Sequence, residues 1–236
     1  MSHLQLLHEY KAMFEDAVGE LLAPTRCAGC DAYGTLMCDK CLKKLSEYLS
    51  QYACPRCGAP YGKIVCTECW DSDFSFTQTV VLGELSDTLA RAVVLHKDSN
   101  EQRLGAYLGL MLGMRVRVEF DSWTDCVTWV APSKKALQRR GFDHGKSLAE
   151  GVAGCLGVPA VGVVVRKQEY ELRGHTRNER RELTSDTYSL SGQPIAPHML
   201  LVDDVITTGA TANSVANVLL EGGAREVRIA AVARTW

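Results

Sequence analysis

Apolar and polar residues follow two different periods along the second half of the chain. Short apolar runs have the length of buried strands, and between them apolar residues recur at helical spacing. Strands that alternate with helices indicate βαβ units, so the pattern predicts an α/β fold with a mainly parallel sheet flanked by helices. The predicted strands are 80–83, 126–131, 160–166, 199–202 and 227–232, and the predicted helices are 87–97, 101–118, 145–156 and 212–221.

The first third of the chain is organised differently. Apolar residues from Leu7 to Leu21 share one side of a helix that ends before Pro24. A short helix at 42–52 separates two cysteine-rich segments, and an exit linker at 70–76 follows them. The pattern therefore predicts three units, which are an N-terminal amphipathic helix at 1–25, a cysteine-rich module at 26–76 and an α/β domain at 77–236.

Composition limits the size of the core and the class of protein. A chain of 236 residues with 46% hydrophobic content can bury one substantial core and carry one small satellite. The formal net charge of -2 gives no general indication of nucleic-acid binding. No stretch approaches the roughly 20 continuous apolar residues that span a bilayer, and acidic residues interrupt the N-terminal segment. We therefore expect a cytoplasmic protein without a membrane span.

Eight of the ten cysteines form four C-x-x-C pairs between residues 27 and 69. In a reducing compartment this spacing is typical of metal binding rather than of a disulfide framework. Two such pairs complete a tetrahedral Cys₄ shell of the kind that holds structural zinc, which leaves no open position for catalysis. A metal-free thiol core or a redox pair is disfavoured because four pairs occur without a thioredoxin-like context. The sequence predicts two structural zinc sites.

The pairing of these cysteines depends on the loops between them. Consecutive pairs are separated by the short loops 31–37 and 58–65, which favour two sequential zinc ribbons, although a cross-braced arrangement stays open. The sequential ribbons would use Cys27, Cys30, Cys38 and Cys41 for the first site and Cys54, Cys57, Cys66 and Cys69 for the second.

An acidic pair follows the apolar strand at 199–202. Asp203 and Asp204 would lie at the carboxyl edge of the sheet, where open α/β sheets bind ligands. Adjacent carboxylates can accept hydrogen bonds from vicinal hydroxyls, and we expect them on the hydroxyls of a ribose. Small residues before the next helix allow backbone amides and the helix N-terminus to surround a phosphate. The residues expected around a 5′-phosphate are Thr207, Thr208, Gly209, Ala210 and Thr211.

Other strand-loop-helix sites fit this segment less well. A nucleotide-binding P-loop needs a lysine after its glycine, and a dinucleotide site needs G-x-G-x-x-G; neither is present here. Receiver domains also place an acidic pair after a strand, but near the start of the domain. A phosphorylated sugar is therefore the favoured ligand.

The segment from Leu200 to Thr211, which includes Val205, resembles the 5-phosphoribosyl 1-pyrophosphate (PRPP) signature of type I phosphoribosyltransferases. More of the chain is similar to the ComF family, the competence-associated members of that group, which often begin with a double zinc ribbon. This resemblance implies that PRPP binds with Mg²⁺. It also implies transfer of the phosphoribosyl group to an unknown acceptor with release of pyrophosphate, the reaction of a pentosyl-transferring glycosyltransferase.

Two further loops are expected to complete the site. Backbone amides at Ser133 and Lys134, after the strand at 126–131, could hold pyrophosphate; this role rests partly on the resemblance. Arg139 and Arg140 begin the loop 139–144, which looks like an Arg-Gly-Phe-Asn-Gln element of ComF proteins. These four residues are predicted to bind substrate.

The polar segment 167–182 resembles the loop that closes over PRPP in this superfamily. Closure would bring cationic side chains onto the pyrophosphate as its charge grows in the transition state. The resemblance implies a catalytic arginine at Arg180 or Arg181, and the choice between them stays open.

Departures from the ComF pattern leave the acceptor and turnover open. Asp143 and His144 replace the usual Asn-Gln, so PRPP could also be bound without reaction. Between residues 134 and 181 there are eleven Lys/Arg against five Asp/Glu, which could bind pyrophosphate or a nucleic-acid backbone. The alternative function is therefore a non-catalytic PRPP-sensing module that binds single-stranded DNA or a protein partner in DNA uptake.

The last predicted strand lies close to the end of the sequence, so a cover for the acceptor is expected from the N-terminal half. We predict that the cysteine module or the helices between 87 and 118 approach the loop at 207–211.

Overall fold

The computed structural model describes residues 24–49, 53–60, 62, 64–99, 101–167 and 187–235. The amphipathic helix expected near the N-terminus lies outside the described residues. So does most of the 167–182 segment, including Arg180 and Arg181.

A four-stranded parallel sheet forms the centre of the α/β region, with the strand order β1-β6-β5-β2. A separate pair of short antiparallel strands, β3 and β4, lies beside it. The strands are β1 (Thr79–Glu84), β2 (Cys126–Trp129), β3 (Val164–Arg166), β4 (Tyr188–Leu190), β5 (His198–Ile206) and β6 (Glu226–Arg234). The parallel sheet predicted from the alternating pattern is confirmed.

The helices cover both faces of this sheet. Two of them belong to the cysteine-rich region, and the others follow the strands. They are α1 (Asp39–Leu49), α2 (Thr67–Trp70), α3 (Asp87–Asp98), α4 (Arg103–Phe120), α5 (Lys134–Arg140), α6 (His144–Leu156) and α7 (Ala210–Glu221). Among the described residues, none of these helices combines the length and the apolarity that a membrane crossing requires.

Alternate residues of the central strand β5 enter two separate cores. Leu200 and Val202 pack with α3, α4 and α6, whereas Met199 and Leu201 pack with α7 and the β3–β4 pair. All four side chains are fully buried. Burial on both faces explains why this strand is a continuous apolar run. The predicted strand at 199–202 is longer in the structure, because β5 continues to Ile206 and contains Asp203 and Asp204 instead of ending before them. Burial on both faces also fixes the position of this pair, because a slip of one residue would exchange the two faces.

Helices α4 and α6 approach each other closely through glycines. A Cβ added at Gly109 would lie 2.4 Å from the carbonyl oxygen of Leu148 and 2.9 Å from the Cα of Gly151. Only glycine permits this backbone contact. The contact holds the start of α6, and therefore His144, at a fixed place beside the sheet.

The single strand predicted at 160–166 is wrong. Ala160 makes an isolated parallel bridge with Val127, and the chain then leaves the sheet. The amide of Val163 donates to the carbonyl of Val161 at 3.0 Å, which is a tight three-residue turn. After this turn, β3 pairs with β4 in the antiparallel direction.

Candidate functional site

A pocket of about 300 Å³ opens beside the end of β5. Its lining combines two carboxylates with cationic and hydroxyl side chains from other segments of the chain. Those used below are Asp203, Asp204, Ser133, Arg140, His144, Lys97, Val205 and Thr211. The predicted site residues Lys134 and Arg139 are not part of this lining.

A second, smaller pocket of about 20 Å³ continues from the first. The two share three residues, Asp203, Val205 and Thr211, so the acidic pair and the following loop form one continuous concavity. The smaller pocket is further lined by Ile206, Thr207, Gly209, Ala210 and Ala212. Thr208 lies outside both linings.

The loop that lines the smaller pocket turns sharply into helix α7. Gly209 has a φ of 79°, which favours glycine, and α7 begins at Ala210. The hydroxyl of Thr208 accepts a hydrogen bond from the amide of Ala210 at 3.3 Å, so this side chain stabilises the turn. The helix N-terminus faces a concavity lined by amides and hydroxyls, which is a suitable environment for a phosphate group.

Asp204 is held by two cationic or hydrogen-bonding partners. The ammonium of Lys97, at the end of α3, lies 2.5 Å from Oδ2, and Nε2 of His144 lies 3.4 Å from the same oxygen. Burial alone would raise the pKa of Asp204, but the hydrogen bond from His144 and the charge of Lys97 hold it well below its usual value. Asp204 is therefore ionised.

Asp203 has the opposite electrostatic environment. Burial, followed by repulsion from the neighbouring Asp204 carboxylate, raises the pKa of Asp203 to about 8. Its Oδ1 accepts the amide of Asp204 at 2.9 Å, which orients the carboxyl group. Simultaneous ionisation of both carboxyl groups is therefore disfavoured in the empty pocket, and a ligand that donates hydrogen bonds to both groups would favour it.

Arg140 and Arg139 differ in position although they are adjacent. Arg140 lines the pocket with a side chain only 11% exposed, contacts Asp98 at 3.4 Å and approaches Nδ1 of His144 at 3.3 Å. The Arg139 side chain is 69% exposed and meets Asp98 from outside the pocket. Since Arg140 can only donate, His144 accepts at Nδ1 and can donate from Nε2 to Asp204.

The loop expected at 139–144 is instead the end of helix α5. The Ser133 hydroxyl accepts the amide of Ala136 at 3.1 Å and begins this helix, and Gly141, with a φ of 76°, ends it. Asp143 then begins α6 by accepting the amide of Lys146. The helix has no buried residue, so it lacks the apolar stripe that would have revealed it in the sequence.

The eight paired cysteines form two tetrads in sequential order. Within each tetrad, the four sulfur atoms lie within 4.8 Å of one another, a distance compatible with a shared metal ion. The structure brings together Cys27, Cys30, Cys38 and Cys41 in one tetrad and Cys54, Cys57, Cys66 and Cys69 in the other. The sequential arrangement, rather than the cross-braced one, is therefore present.

Backbone amides donate to sulfur in both tetrads. The amide of Cys38 contacts the sulfur of Cys27, and the amide of Cys66 contacts the sulfur of Cys54, each at 3.3 Å. Burial alone would raise the pKa of Cys27, but hydrogen bonds from backbone amides lower it to about 6. These donors favour the thiolate form that binds metal ions.

The second tetrad contacts the loop of the smaller pocket through Arg234. The buried guanidinium donates from Nε to the carbonyl of Cys57 at 3.0 Å, and its Nη1 donates to the carbonyls of Ile206 and Thr207. Residues after the tetrad also reach this loop, because the ring of Phe74 lies 3.4 Å from the Cβ position of Gly209. The cysteine module and α3, through Lys97, therefore both approach the concavity from the N-terminal half.

Three functional candidates were missed in the sequence. Lys97, His144 and Arg234 come from three separate segments that the fold brings to the end of β5. Lys97 and Arg234 belong to no local motif. His144 ends the element 139–144, where it departs from the ComF pattern, and this departure alone does not indicate a contact with Asp204.

Residues 136–235 match the family model of the phosphoribosyl transferase domain. Competence protein F of Haemophilus influenzae is 25% identical over 209 residues, which cover 84% of this chain and 90% of that protein. The DNA utilization protein YhgH of Escherichia coli K12 is 25% identical over 77% of this chain and 84% of its own length. Competence protein ComFC of Streptococcus pneumoniae is 32% identical over 40% of this chain and 41% of its own length.

Similar solved structures include a glutamine PRPP amidotransferase from B. subtilis, with 26% identity, a TM-score of 0.39 and coverage of 53% of this chain. The chain spans only 25% of the length of that enzyme. Orotate phosphoribosyltransferase from Aeropyrum pernix is 19% identical, with a TM-score of 0.38, and the match covers 83% of this chain and 92% of that enzyme. The match of residues 136–235 to the phosphoribosyl transferase domain agrees with the parallel sheet, so the chain has a type I phosphoribosyltransferase-like fold, preceded by two cysteine tetrads. It resembles the ComF family of competence-associated proteins.

Proposed function

We propose that this protein binds PRPP with Mg²⁺ and transfers its phosphoribosyl group to an acceptor, releasing pyrophosphate. The observation that carries the proposal is the continuity of the two pockets through Asp203, Val205 and Thr211. The proposed diol-binding pair and the proposed phosphate-binding loop thereby line one continuous concavity. The sequence similarity to competence protein F extends over 84% of this chain.

Each part of the substrate has a partner in this proposal. Asp203 and Asp204 accept hydrogen bonds from the two ribose hydroxyls, and the loop from Thr207 to Thr211 surrounds the 5′-phosphate. Arg140 and the amides that begin α5 face the pyrophosphate. The closing arginine, Arg180 or Arg181, and the peripheral cations Lys134 and Arg139 stay part of the proposed substrate-binding set.

The chemical step exchanges one bond at C1′ for another. The bond from C1′ to the pyrophosphate oxygen breaks through an oxocarbenium-like state, an acceptor nitrogen forms the new bond, and that nitrogen loses a proton. Mg²⁺ would neutralise the departing pyrophosphate, as metal ions do in phosphate chemistry. The protein contributes mainly positioning and charge stabilisation, since its carboxylates fix the ribose while Arg140 stabilises the leaving group.

Calorimetric titration with PRPP and Mg²⁺ tests the binding step. One molecule of PRPP is expected to bind per chain, and Thr211→Val should weaken binding about tenfold, because a hydrogen bond to a charged phosphate contributes about 1.5 kcal/mol. Thr67→Val changes an exposed threonine on α2 and serves as the matched control. Absence of any binding heat in the wild-type protein would contradict the proposal.

Turnover is measured separately as pyrophosphate released in the presence of candidate nitrogen acceptors. Release that depends on an acceptor supports the transferase. Binding without release from any acceptor would instead favour the second candidate, a PRPP-sensing module that binds single-stranded DNA or a protein partner. The names of the relatives, which refer to competence and DNA utilization, are consistent with a role of this kind in DNA uptake.

A basic helix face favours DNA as the partner in that second candidate. Helix α1 carries three exposed lysines, which are Lys40, Lys43 and Lys44. Their spacing places them on the same side of the helix. The second tetrad differs, since exposed Glu68 and Asp71 flank its exposed Trp70. A phosphate backbone would therefore contact the first tetrad.

Retention of single-stranded DNA should fall steeply between 50 and 200 mM salt, as expected for phosphate contacts. Replacement of Lys40 and Lys44 by glutamine should weaken retention about tenfold, because two such contacts are lost. Lys146→Gln, on the exposed side of α6, is the control of the same residue type. DNA retention that changes neither with salt nor with the double substitution would exclude this interface.

Zinc as the metal of both tetrads belongs to the same proposal, because closed Cys₄ shells are typical of structural zinc. A cytoplasmic location fits thiols that must stay reduced. The division into the units 1–25, 26–76 and 77–236 is likewise proposed.

A further inference from the structure

The last turn of α3 reaches into the acidic pair. Lys97 contacts Asp204, while the next residue, Asp98, contacts both Arg139 and Arg140. This turn therefore connects the carboxylates at the end of β5 with the cationic end of α5. Lys97 also lines the larger pocket, so its ammonium lies at the edge of the proposed ribose site.

The contacts of Lys97 and His144 fall on one oxygen of Asp204. Both approach Oδ2, at 2.5 and 3.4 Å, and this oxygen is completely buried. A metal ion that entered from the pocket could not reach Oδ2 without displacing the ammonium. The opposite oxygen of Asp204, Oδ1, therefore stays available for the ribose diol.

The balance of charges also disfavours a metal ion at the acidic pair. Lys97 places one positive charge 2.5 Å from Asp204, and Arg140 lines the same pocket, so cationic side chains already face the acidic pair. A divalent cation gains most from a site with excess negative charge. With Lys97 in place, no such excess remains in the unliganded pocket.

We infer that Lys97 takes the place of a protein-bound divalent cation at the Asp203–Asp204 pair, so that PRPP binds with only the metal ion carried by its pyrophosphate. Lys97 is then a positioning residue, which fixes the Asp204 carboxylate for the ribose hydroxyls. The part of the inference that concerns PRPP rests on the proposed function. The part that concerns metal exclusion does not.

Metal exclusion is tested on the protein without PRPP. Lys97→Met removes the ammonium from a side chain of similar length, and electron paramagnetic resonance counts bound Mn²⁺. The variant is expected to gain one Mn²⁺ per chain, and the added substitution Asp204→Asn should abolish this gain. Lys146→Met, which changes an exposed lysine on α6, should gain none.

PRPP binding provides the second readout. At low Mg²⁺, Lys97→Met should weaken PRPP binding about tenfold, the cost of one lost charge-assisted contact. Higher Mg²⁺ should recover part of this loss, with a steeper dependence on Mg²⁺ than in the wild type. Lys97→Arg, which keeps the positive charge, should restore the shallow dependence.

The results separate this inference from the proposed function. If the wild type binds no PRPP but Lys97→Met gains Mn²⁺, the proposed function fails and metal exclusion stands. The inference is overturned if wild-type protein already binds Mn²⁺ in a manner that Asp204→Asn abolishes. It is equally overturned if folded Lys97→Met gains no Mn²⁺ and binds PRPP with the Mg²⁺ dependence of the wild type.

Discussion

Replacement of either member of the acidic pair by asparagine is expected to weaken PRPP binding about 100-fold, whereas the two substitutions should change stability in opposite directions. The loss of binding follows from removing an acceptor of ribose hydrogen bonds that is ionised in the bound state. Asp204→Asn also leaves Lys97 without its carboxylate, and breaking such a buried pair costs about 3 kcal/mol. Asp203→Asn removes a carboxyl group that burial and repulsion disfavour in its ionised form, and should raise the Tm.

The stability effect of Asp203 depends on pH with a definite sign. The fold raises the pKa of this group to about 8, so the folded chain keeps a proton that the unfolded chain loses above about pH 4. Wild-type stability therefore falls, relative to Asp203→Asn, as the pH rises from about 4 to about 8. The Tm advantage of the variant should grow over this interval and become constant above it.

Asp204 should show the reverse behaviour. Because the fold lowers the pKa of Asp204, its contribution is present above the unfolded value and is lost as the pH falls through the folded value. The Tm penalty of Asp204→Asn should accordingly shrink in acid. Thermal unfolding across pH checks both variants, with Asp121→Asn as a control on an exposed residue whose φ of 49° asparagine tolerates. Equal Tm shifts for the two pair variants would contradict the assigned electrostatics.

The central strand and its loop could be predicted because their signals are local. The apolar run at 199–202, the acidic pair and the glycine before α7 lie within about one strand-loop-helix unit, and each has a direct structural meaning. The cysteine tetrads were predictable for the same reason, since each C-x-x-C pair is a local turn. The tetrads pair in the expected sequential order, whereas the acidic pair lies within β5 and not after it, because β5 continues its pairing with β6 as far as Ile206.

The supporting residues could not be predicted because packing alone brings them together. Lys97 and Asp204 are separated by more than 100 positions, and α3 delivers the lysine only because its apolar side packs on the sheet. The same holds for Arg234, which reaches Cys57 from the end of β6. The turn at Val161–Val163 was missed because its residues are β-branched or small, as in an ordinary strand.

Removal of the proposed zinc ions from the two tetrads is expected to produce the largest loss of stability. A structural zinc site contributes about 10 kcal/mol of binding free energy that is also folding free energy. Treatment with a strong chelator should therefore unfold both tetrad regions and lower the Tm of the whole chain, and metal analysis should find about two zinc ions per chain beforehand. The first tetrad should affect the core directly, since Cys27 and Cys41 belong to the same buried apolar cluster as Leu89 of α3.

The two tetrads should differ in their effect on PRPP binding. Arg234 connects the second tetrad to the carbonyl of Thr207, so Cys54→Ser should release one zinc ion and also weaken PRPP binding. Cys30→Ser should release one zinc ion with a smaller effect on binding, because the segment of the first tetrad contacts α3 through Arg91 and Gly29 rather than the loop at 207–211. Cys155→Ser, outside both tetrads, is the control. Undiminished PRPP affinity in a folded Cys54→Ser protein that has lost one zinc ion would disprove this coupling, because the Arg234 bridge would then transmit nothing to the loop.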